Sequence, residues 1–265
     1  MANLTISRAP DQDASLSEYV EAALGKCYVI PVAKVCNAAC VFCATEVYNP
    51  KNEIEVMDES NLAPIASTLV SAGVTRFEVT GGGEPTLHPR LAGILASLQG
   101  TGAMIKLYSN GARLPVGTHV DELNISRCSI DPEQNQQLMR LRQGSEDIRV
   151  VVGRARDHGF RRIRLSVPII RGGVETLPDA LSFMDYCGDI VDAIVFRPLY
   201  PATPDKTNRD PLSGDTWLGL MPEFHKAGTT VEIEVDQEGC FRASQLILSS
   251  DLRLFKEWTL TVPAP

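Results

Sequence analysis

The chain has 265 residues, 44% of them hydrophobic and 22% charged. These are ordinary globular values in a chain long enough to bury one sizeable core, so the expectation is a single domain over 1–265. A net charge of −8, from 33 acidic against 25 basic residues, disfavours nucleic acid as a partner, and the absence of an apolar run of about eighteen residues disfavours a membrane.

The opening residues, 1–17, are polar and include Asp11 and Asp13, unlike a secretory signal. Seven cysteines without such a signal argue against a disulfide framework, and the expected location is the cytoplasm. Residues 13–24 read as an amphipathic helix starting near Ser15 or Ser17 and ended by Gly25, part of an N-terminal helical cover over about 1–25. Residues 27–33 read as the first strand. Immediately after it come Cys36, Cys40 and Cys43, three thiols in eight residues. Such a loop can wrap one soft metal centre, because closely spaced thiolates hold zinc or iron–sulfur clusters. Three ligands are one short of a closed set, which leaves a distant fourth ligand or an open metal position. The same offsets also fall on one helix face, where cysteine packs as a small apolar residue.

A second stretch decides between these readings. Residues 76–80 form a strand that breaks into Gly81, Gly82 and Gly83, followed by Glu84 and Pro85. Three glycines permit positive φ and close approach of backbone to a ligand. The cysteine loop and this turn together resemble the radical S-adenosylmethionine (radical SAM) superfamily, whose signature is C-x-x-x-C-x-aromatic-C after the first strand and G-G-E-P after the second. Cys36, Cys40, Phe42 and Cys43 match the first motif, and Gly82 to Pro85 match the second.

The resemblance implies a partial (β/α)6 barrel of parallel strands over about 26–200, with a short C-terminal α/β closure over about 201–265. It implies one [4Fe–4S] cluster held by the three cysteines, with S-adenosylmethionine on the fourth iron. Glu84 and the neighbouring glycine carbonyls would receive the methionine ammonium, and Phe42 would border the adenine. Electrons would come from a donor such as flavodoxin or ferredoxin. Reductive cleavage would then give a 5′-deoxyadenosyl radical that removes a hydrogen atom from the substrate. With no cysteine-rich stretch after Cys240, one cluster is expected, and Cys27, Cys128, Cys187 and Cys240 read as small apolar residues.

Further along, strand and helix alternate, the pattern of parallel strands with helical crossovers. Helices are expected over 61–72, 87–98, 133–141, 147–158 and 177–186, and strands over 104–109, 123–130, 162–170 and 192–196. Ligands of such barrels gather at the C-terminal strand ends. The binding candidates there are Asn110 after the third strand; Arg127, Ser129 and Asp131 on one face of the fourth; Arg164 and Ser166 on the fifth; and Arg197 after the sixth. Tyr200 joins Arg197, while Thr45, Glu46 and Tyr48 read as loop scaffolding. Five arginines between 154 and 164 read as a solvated face. Residues 201–215 are rich in Pro, Asp, Thr and Asn and fit a lid or a connector. Beyond them a helix over 217–226, a strand over 230–235 and a helical stretch over 244–258 are expected.

A compact chain with no peptide-binding domain points to a small-molecule substrate, a natural-product or cofactor intermediate such as a nucleoside, sugar or amino acid. The alternatives are a glycyl-radical activase or peptide modifier and, outside enzymes, an iron–sulfur or zinc binding protein.

Overall fold

A computed structural model describes residues 15–43, 54–198, 230–233 and 246–255. The first helix, α1 (Leu16–Ala22), is capped by Ser15, whose side chain accepts from the Glu18 N–H while Glu18 reaches back, the reciprocal arrangement that satisfies two orphan donors. It lays Val20 on the core. Strand β1 (Lys26–Val29) follows, and Pro31, which has no N–H to donate, divides the expected first strand in two. The second piece, β2 (Val32–Ala33), pairs antiparallel with β3 (Glu55–Val56).

The remaining elements alternate as their periodicity predicts: α2 (Leu62–Ser71), β4 (Arg76–Val79), α3 (Leu91–Gln99), β5 (Met104–Ser109), β6 (Glu122–Ser126), α4 (Pro132–Met139), α5 (Ile148–Asp157), β7 (Ile163–Ile169), α6 (Leu177–Cys187) and β8 (Ala193–Pro198). The strands β1, β4, β5, β6, β7 and β8 lie side by side in that order, every pair parallel. β9 (Thr230–Ile233) continues the sheet beyond β8. β10 (Leu246–Leu248) runs parallel to β1 at the other side, with β11 (Leu254–Phe255) antiparallel at its edge. The two edges, β11 and β9, do not pair, so the six-stranded core is an open, partial barrel.

Two expectations are corrected here. Residues 246–255 are strands and a turn, not part of a helix over 244–258: Leu246, Ile247 and Leu248 are all buried against β1, and Leu252 turns the chain with φ +62°. A short apolar run fits a buried strand or a buried helical turn equally well, and its neighbours decide. The fourth strand ends at Ser126, not at residue 130, so the alternation expected to align Arg127, Ser129 and Asp131 does not extend to them. The expected helix over 217–226 and the polar stretch 201–215 lie outside the described residues, as do Thr45, Glu46, Tyr48, Tyr200 and Cys240.

Strand alternation gives the sheet two unlike faces. Outward rows such as Phe77 and Val79, Ile105 and Leu107, Leu123 and Ile125, and Ile163, Leu165 and Val167 join the helices in one apolar core. The opposite rows, facing into the barrel, are polar: Glu78 on β4, Lys106 and Tyr108 on β5, Glu122 and Asn124 on β6, Arg164 and Ser166 on β7, and Arg197 on β8. Charge buried this way needs partners. Lys106 Nζ lies 2.8 Å and Arg164 Nη1 3.8 Å from Glu122 Oε1, and Arg162 Nε lies 2.6 Å from Glu122 Oε2. Burial raises the Glu122 carboxyl, but the hydrogen bonds from Lys106 and Arg162 outweigh it and hold the group below its ordinary range.

Candidate active site

Cys36, Cys40 and Cys43 sit together on the loop after β2, each half-buried and free of disulfides. The loop is held by backbone as much as by side chains. Ala39 N–H donates to the Met139 carbonyl at 3.2 Å, Val41 N–H to the Leu138 carbonyl at 2.9 Å, and Arg142 N–H to the Asn37 carbonyl at 2.8 Å. The end of α4 therefore clamps the thiol loop. Phe42 packs with Val41 and Cys40 against Cys128, Leu138, Met139, Leu141 and Ile170. Burial, with mutual repulsion between the three groups, pushes the Cys40 thiol up to about 12; burial also raises Cys36, with smaller contributions from Glu84 and Cys43. Three thiols on one short loop are a donor set that suits an iron–sulfur cluster. Among the described residues no three Cys, His, Asp or Glu side chains converge in ligating geometry, so the fit rests on the donor set and the loop that carries it.

The glycine turn packs directly on this loop. Lys34 N–H donates to the Gly82 carbonyl and Glu84 N–H to the Val35 carbonyl, both at 2.8 Å. None of Gly81, Gly82 and Gly83 has positive φ; their use is close approach. A Cβ on Gly81 would collide with the Gly83 carbonyl, and one on Gly83 would collide with the Val35 carbonyl. Gly83→Ala is therefore expected to part the turn from the loop at a cost of about 1–3 kcal/mol. That appears as a melting temperature several degrees lower and as iron lost on gel filtration. An alanine variant with wild-type melting and iron content would contradict the reading.

Glu84 is buried where β4 gives way to a short 3-10 turn, Pro85–Leu87, which it caps. Its Oε1 accepts from the Thr86 hydroxyl at 2.7 Å, the Ser109 hydroxyl at 2.8 Å and the Thr86 N–H at 3.2 Å, while Oε2 accepts from the Asn110 N–H at 2.8 Å. Burial pushes this carboxyl above its ordinary range against the four donors that pull it down. Asn110 passes the connection onward, its Nδ2 donating to Asn37 Oδ1 at 2.7 Å while its Oδ1 accepts from the Ala112 N–H at 3.0 Å. Carboxylate, third-strand end and thiol loop thus form one hydrogen-bonded unit at the C-terminal mouth of the barrel.

The Radical SAM superfamily profile matches residues 30–187, which include the cysteine loop and the glycine turn. The chain belongs to the radical SAM superfamily. Its cofactors are those of the family, a [4Fe–4S] cluster and S-adenosylmethionine. It is 31% identical over 148 residues to the GTP 3′,8-cyclase of Pseudomonas putida, covering 52% of this chain and 43% of that one. It is 26% identical over 224 residues to the probable GTP 3′,8-cyclase of Pyrobaculum aerophilum, covering 75% and 71%. The chain thus spans less than half the length of the Pseudomonas relative. Among solved structures, Streptococcus suis SuiB bound to S-adenosylmethionine superposes with a TM-score of 0.67 at 12% identity, covering 85% of this chain and 58% of that one.

Within this radical SAM fold the other expected ligand contacts divide. Arg127, directly after the C-terminal end of β6, is buried and bonded to protein, its Nε donating to the Ser129 carbonyl at 2.7 Å and its Nη1 to the Glu146 carbonyl at 2.8 Å and the Ser145 hydroxyl at 3.1 Å. Asp131 caps α4 by accepting from the Gln134 N–H at 2.8 Å, and the Ser129 hydroxyl bonds to Gln134 Oε1. These three organise the chain between β6 and α4. Arg164 is the second residue of β7, roughly 16 Å along the strand from its C-terminal end at about 3.3 Å per residue. It is buried rather than solvated, level in the sheet with Asn124 and Tyr108, and its Nη1 lies 3.8 Å from Glu122 Oε1. Ser166 faces inward at mid-strand. Arg197 stacks over the Tyr108 ring, its guanidinium carbon 6.0 Å from the centroid.

Sequence reasoning named Arg164 and Ser166 but missed the other inward residues of the strand interiors, Glu78, Lys106, Tyr108, Glu122 and Asn124. Tyr108 donates to Glu78 Oε2 at 2.8 Å, and burial and the Glu78 charge both keep its hydroxyl protonated. The signal was available in Ile-Lys-Leu-Tyr at 105–108 and Glu-Leu-Asn-Ile-Ser at 122–126, where polar residues alternate with core ones.

Proposed function

We propose that this radical SAM enzyme removes a hydrogen atom from a small polar molecule, a nucleoside, sugar or amino acid of natural-product or cofactor biosynthesis, bound inside the partial barrel. The observation that carries this reading is the polar inner face. Glu78, Lys106, Tyr108, Glu122, Asn124 and Arg164 occupy positions that an inert core would fill with apolar side chains.

In this reading Cys36, Cys40 and Cys43 hold the single cluster, and Glu84 with the Gly82 and Gly83 backbone receives the methionine ammonium of S-adenosylmethionine. Glu84 Oε2 accepts one protein donor and keeps capacity for another. Asn110 and Asn37 fix the carboxylate relative to the thiol loop, and Phe42 seals the loop against the apolar cluster beneath it. When bound, the cluster and S-adenosylmethionine supply the 5′-deoxyadenosyl radical; protein side chains position the reacting carbon and keep water and thiols away from it. A flavodoxin- or ferredoxin-type donor and a cytoplasmic location complete the proposal. No helix among the described residues is long and apolar enough to cross a membrane.

The test is anaerobic reconstitution followed by S-adenosylmethionine and dithionite, with 5′-deoxyadenosine and methionine read by mass spectrometry. Deoxyadenosine is expected to form slowly alone and faster with the true substrate, and a deuterated substrate passes its label into it. GTP is the first compound to add, because relatives named GTP 3′,8-cyclase match this chain. An intact cluster with bound S-adenosylmethionine and no deoxyadenosine across nucleoside, sugar and amino-acid panels would count against the assignment.

A further inference from the structure

The inward carboxylates of the barrel are paired with neighbouring side chains, whereas one inward amide has neither of its polar atoms satisfied. Glu78 has Tyr108, and Arg76 at 2.9 Å; Glu122 has Lys106, Arg162 and Arg164. Asn124, in the middle of β6, is wholly buried, and neither its amide nitrogen nor its amide oxygen meets a hydrogen-bond partner. Its direction follows from its neighbours. Leu123 and Ile125 join the helix-side core, so Asn124 faces the lumen, flanked in register by Tyr108 on β5 and Arg164 on β7. An amide there has two donors and an acceptor to satisfy, and the cost of leaving them bare falls on the ligand-free protein. Apolar residues at this position would remove that cost. A group kept bare in the lumen is one whose partner arrives from outside.

We infer that Asn124 is a specificity-determining residue that pairs with an amide-like edge of the substrate, an adjacent N–H and C=O such as a nucleobase lactam or a carboxamide. The chemistry follows from complementarity: an asparagine side chain offers a donor and an acceptor side by side, and the matching edge offers the reverse pair. The depth is informative as well. Asn124 lies two residues below the end of β6, roughly 7 Å at about 3.3 Å per residue. An edge docked there leaves the rest of a nucleoside-sized molecule extending up to the mouth, where Glu84 and the thiol loop lie. Because Asn124 is wholly buried, binding there requires the flanking Tyr108 and Arg164 side chains to move aside when the ligand enters. This inference rests on the reading of the barrel as a small-molecule radical SAM site and names the class of molecule that fits it.

Asn124→Leu removes the amide at nearly constant volume. Two measurements on the cluster-loaded protein decide the matter. In thermal melting the variant is expected to unfold at or above the wild-type temperature, since it loses an unsatisfied group; a fall of several degrees would show that the protein itself satisfies the amide and would overturn the inference. In equilibrium dialysis with guanosine, uridine and nicotinamide as amide-edge probes, and ribose and benzoate as controls, at least one amide-edge probe should bind the wild type. Its affinity should drop about tenfold to a hundredfold in Asn124→Leu. No amide-edge binding, or binding indifferent to the substitution, overturns the inference. Substrate-free deoxyadenosine formation, run in parallel, keeps the two readings apart. Product from both proteins shows the cofactor half intact whatever the probes do, whereas no product from either counts against the proposed function while melting and dialysis still judge Asn124.

Discussion

Alanine at any one of Cys36, Cys40 and Cys43 is expected to abolish the cluster, whereas alanine at Cys27, Cys128, Cys187 or Cys240 is expected to leave about four irons per chain after anaerobic reconstitution. The contrast is set by position. The three loop thiols are half-buried, on backbone that α4 and the glycine turn hold from two sides. Cys27 lies in β1 and Cys187 ends α6, both fully buried in the main core, and burial pushes each thiol up to about 12. Thiol acidity does not separate the two sets, since burial raises Cys40 to about 12 as well; their place in the fold does. Cys128 is the sharpest control. It is buried behind the loop in the same apolar cluster as Phe42 and feels the Cys40 charge, yet its backbone is fixed by Asn135 and burial raises its thiol further. Its alanine variant loses one small buried group, about 1 kcal/mol of stability, and keeps its iron. Iron and sulfide analysis with the electron paramagnetic resonance spectrum of the reduced protein checks both halves. Four irons retained by a loop variant would overturn the ligand assignment, and about eight irons in the wild type would overturn the single cluster.

What the sequence made legible here is what physics expresses locally. The six core strands and the helices between them were readable because each crossover needs its own periodic stretch, and α1 and α6 announce their starts with Ser15–Glu18 and Thr176–Asp179 capping pairs. The thiol loop and the glycine turn were readable because ligation and close backbone approach demand particular residues in sequence. Long-range partners were not. The pairing of Arg164 with Glu122, forty-two positions earlier across the β6–β7 ladder, left no local mark. Arg127 reads as a lumen residue until β6 stops at Ser126 and the side chain turns to Glu146. The strand at Leu246–Leu248 owes its conformation to β1, more than two hundred residues away. Asn110 was placed correctly at the mouth, but its amide is spent on Asn37, a residue whose importance no short motif encodes.

Glu84→Gln separates the charge of this residue from its scaffold role, and the two are expected to respond differently. The glutamine oxygen can still accept from Thr86 and Ser109 in place of Oε1, which preserves most of the turn. Its amide nitrogen then faces the Asn110 N–H, a donor meeting a donor, at a cost of about 1 kcal/mol. The cluster should therefore form, with about four irons per chain. Affinity for S-adenosylmethionine should fall about tenfold to a hundredfold, because a charge-assisted bond to the ammonium is replaced by a neutral one that can point the wrong way. Glu84→Ala goes further: the Thr86 and Ser109 hydroxyls and the Asn110 N–H all lose their acceptor in a buried place, and the mouth loosens along the path from Asn110 to Asn37. Lower melting temperature and poorer iron retention are expected in that variant in addition to lost cofactor binding. Equilibrium dialysis with labelled S-adenosylmethionine, alongside iron content and melting, distinguishes the cases. If Glu84→Gln binds the cofactor as the wild type does, the carboxylate serves only to tie β4 to β5, and the ammonium must be received by backbone carbonyls alone.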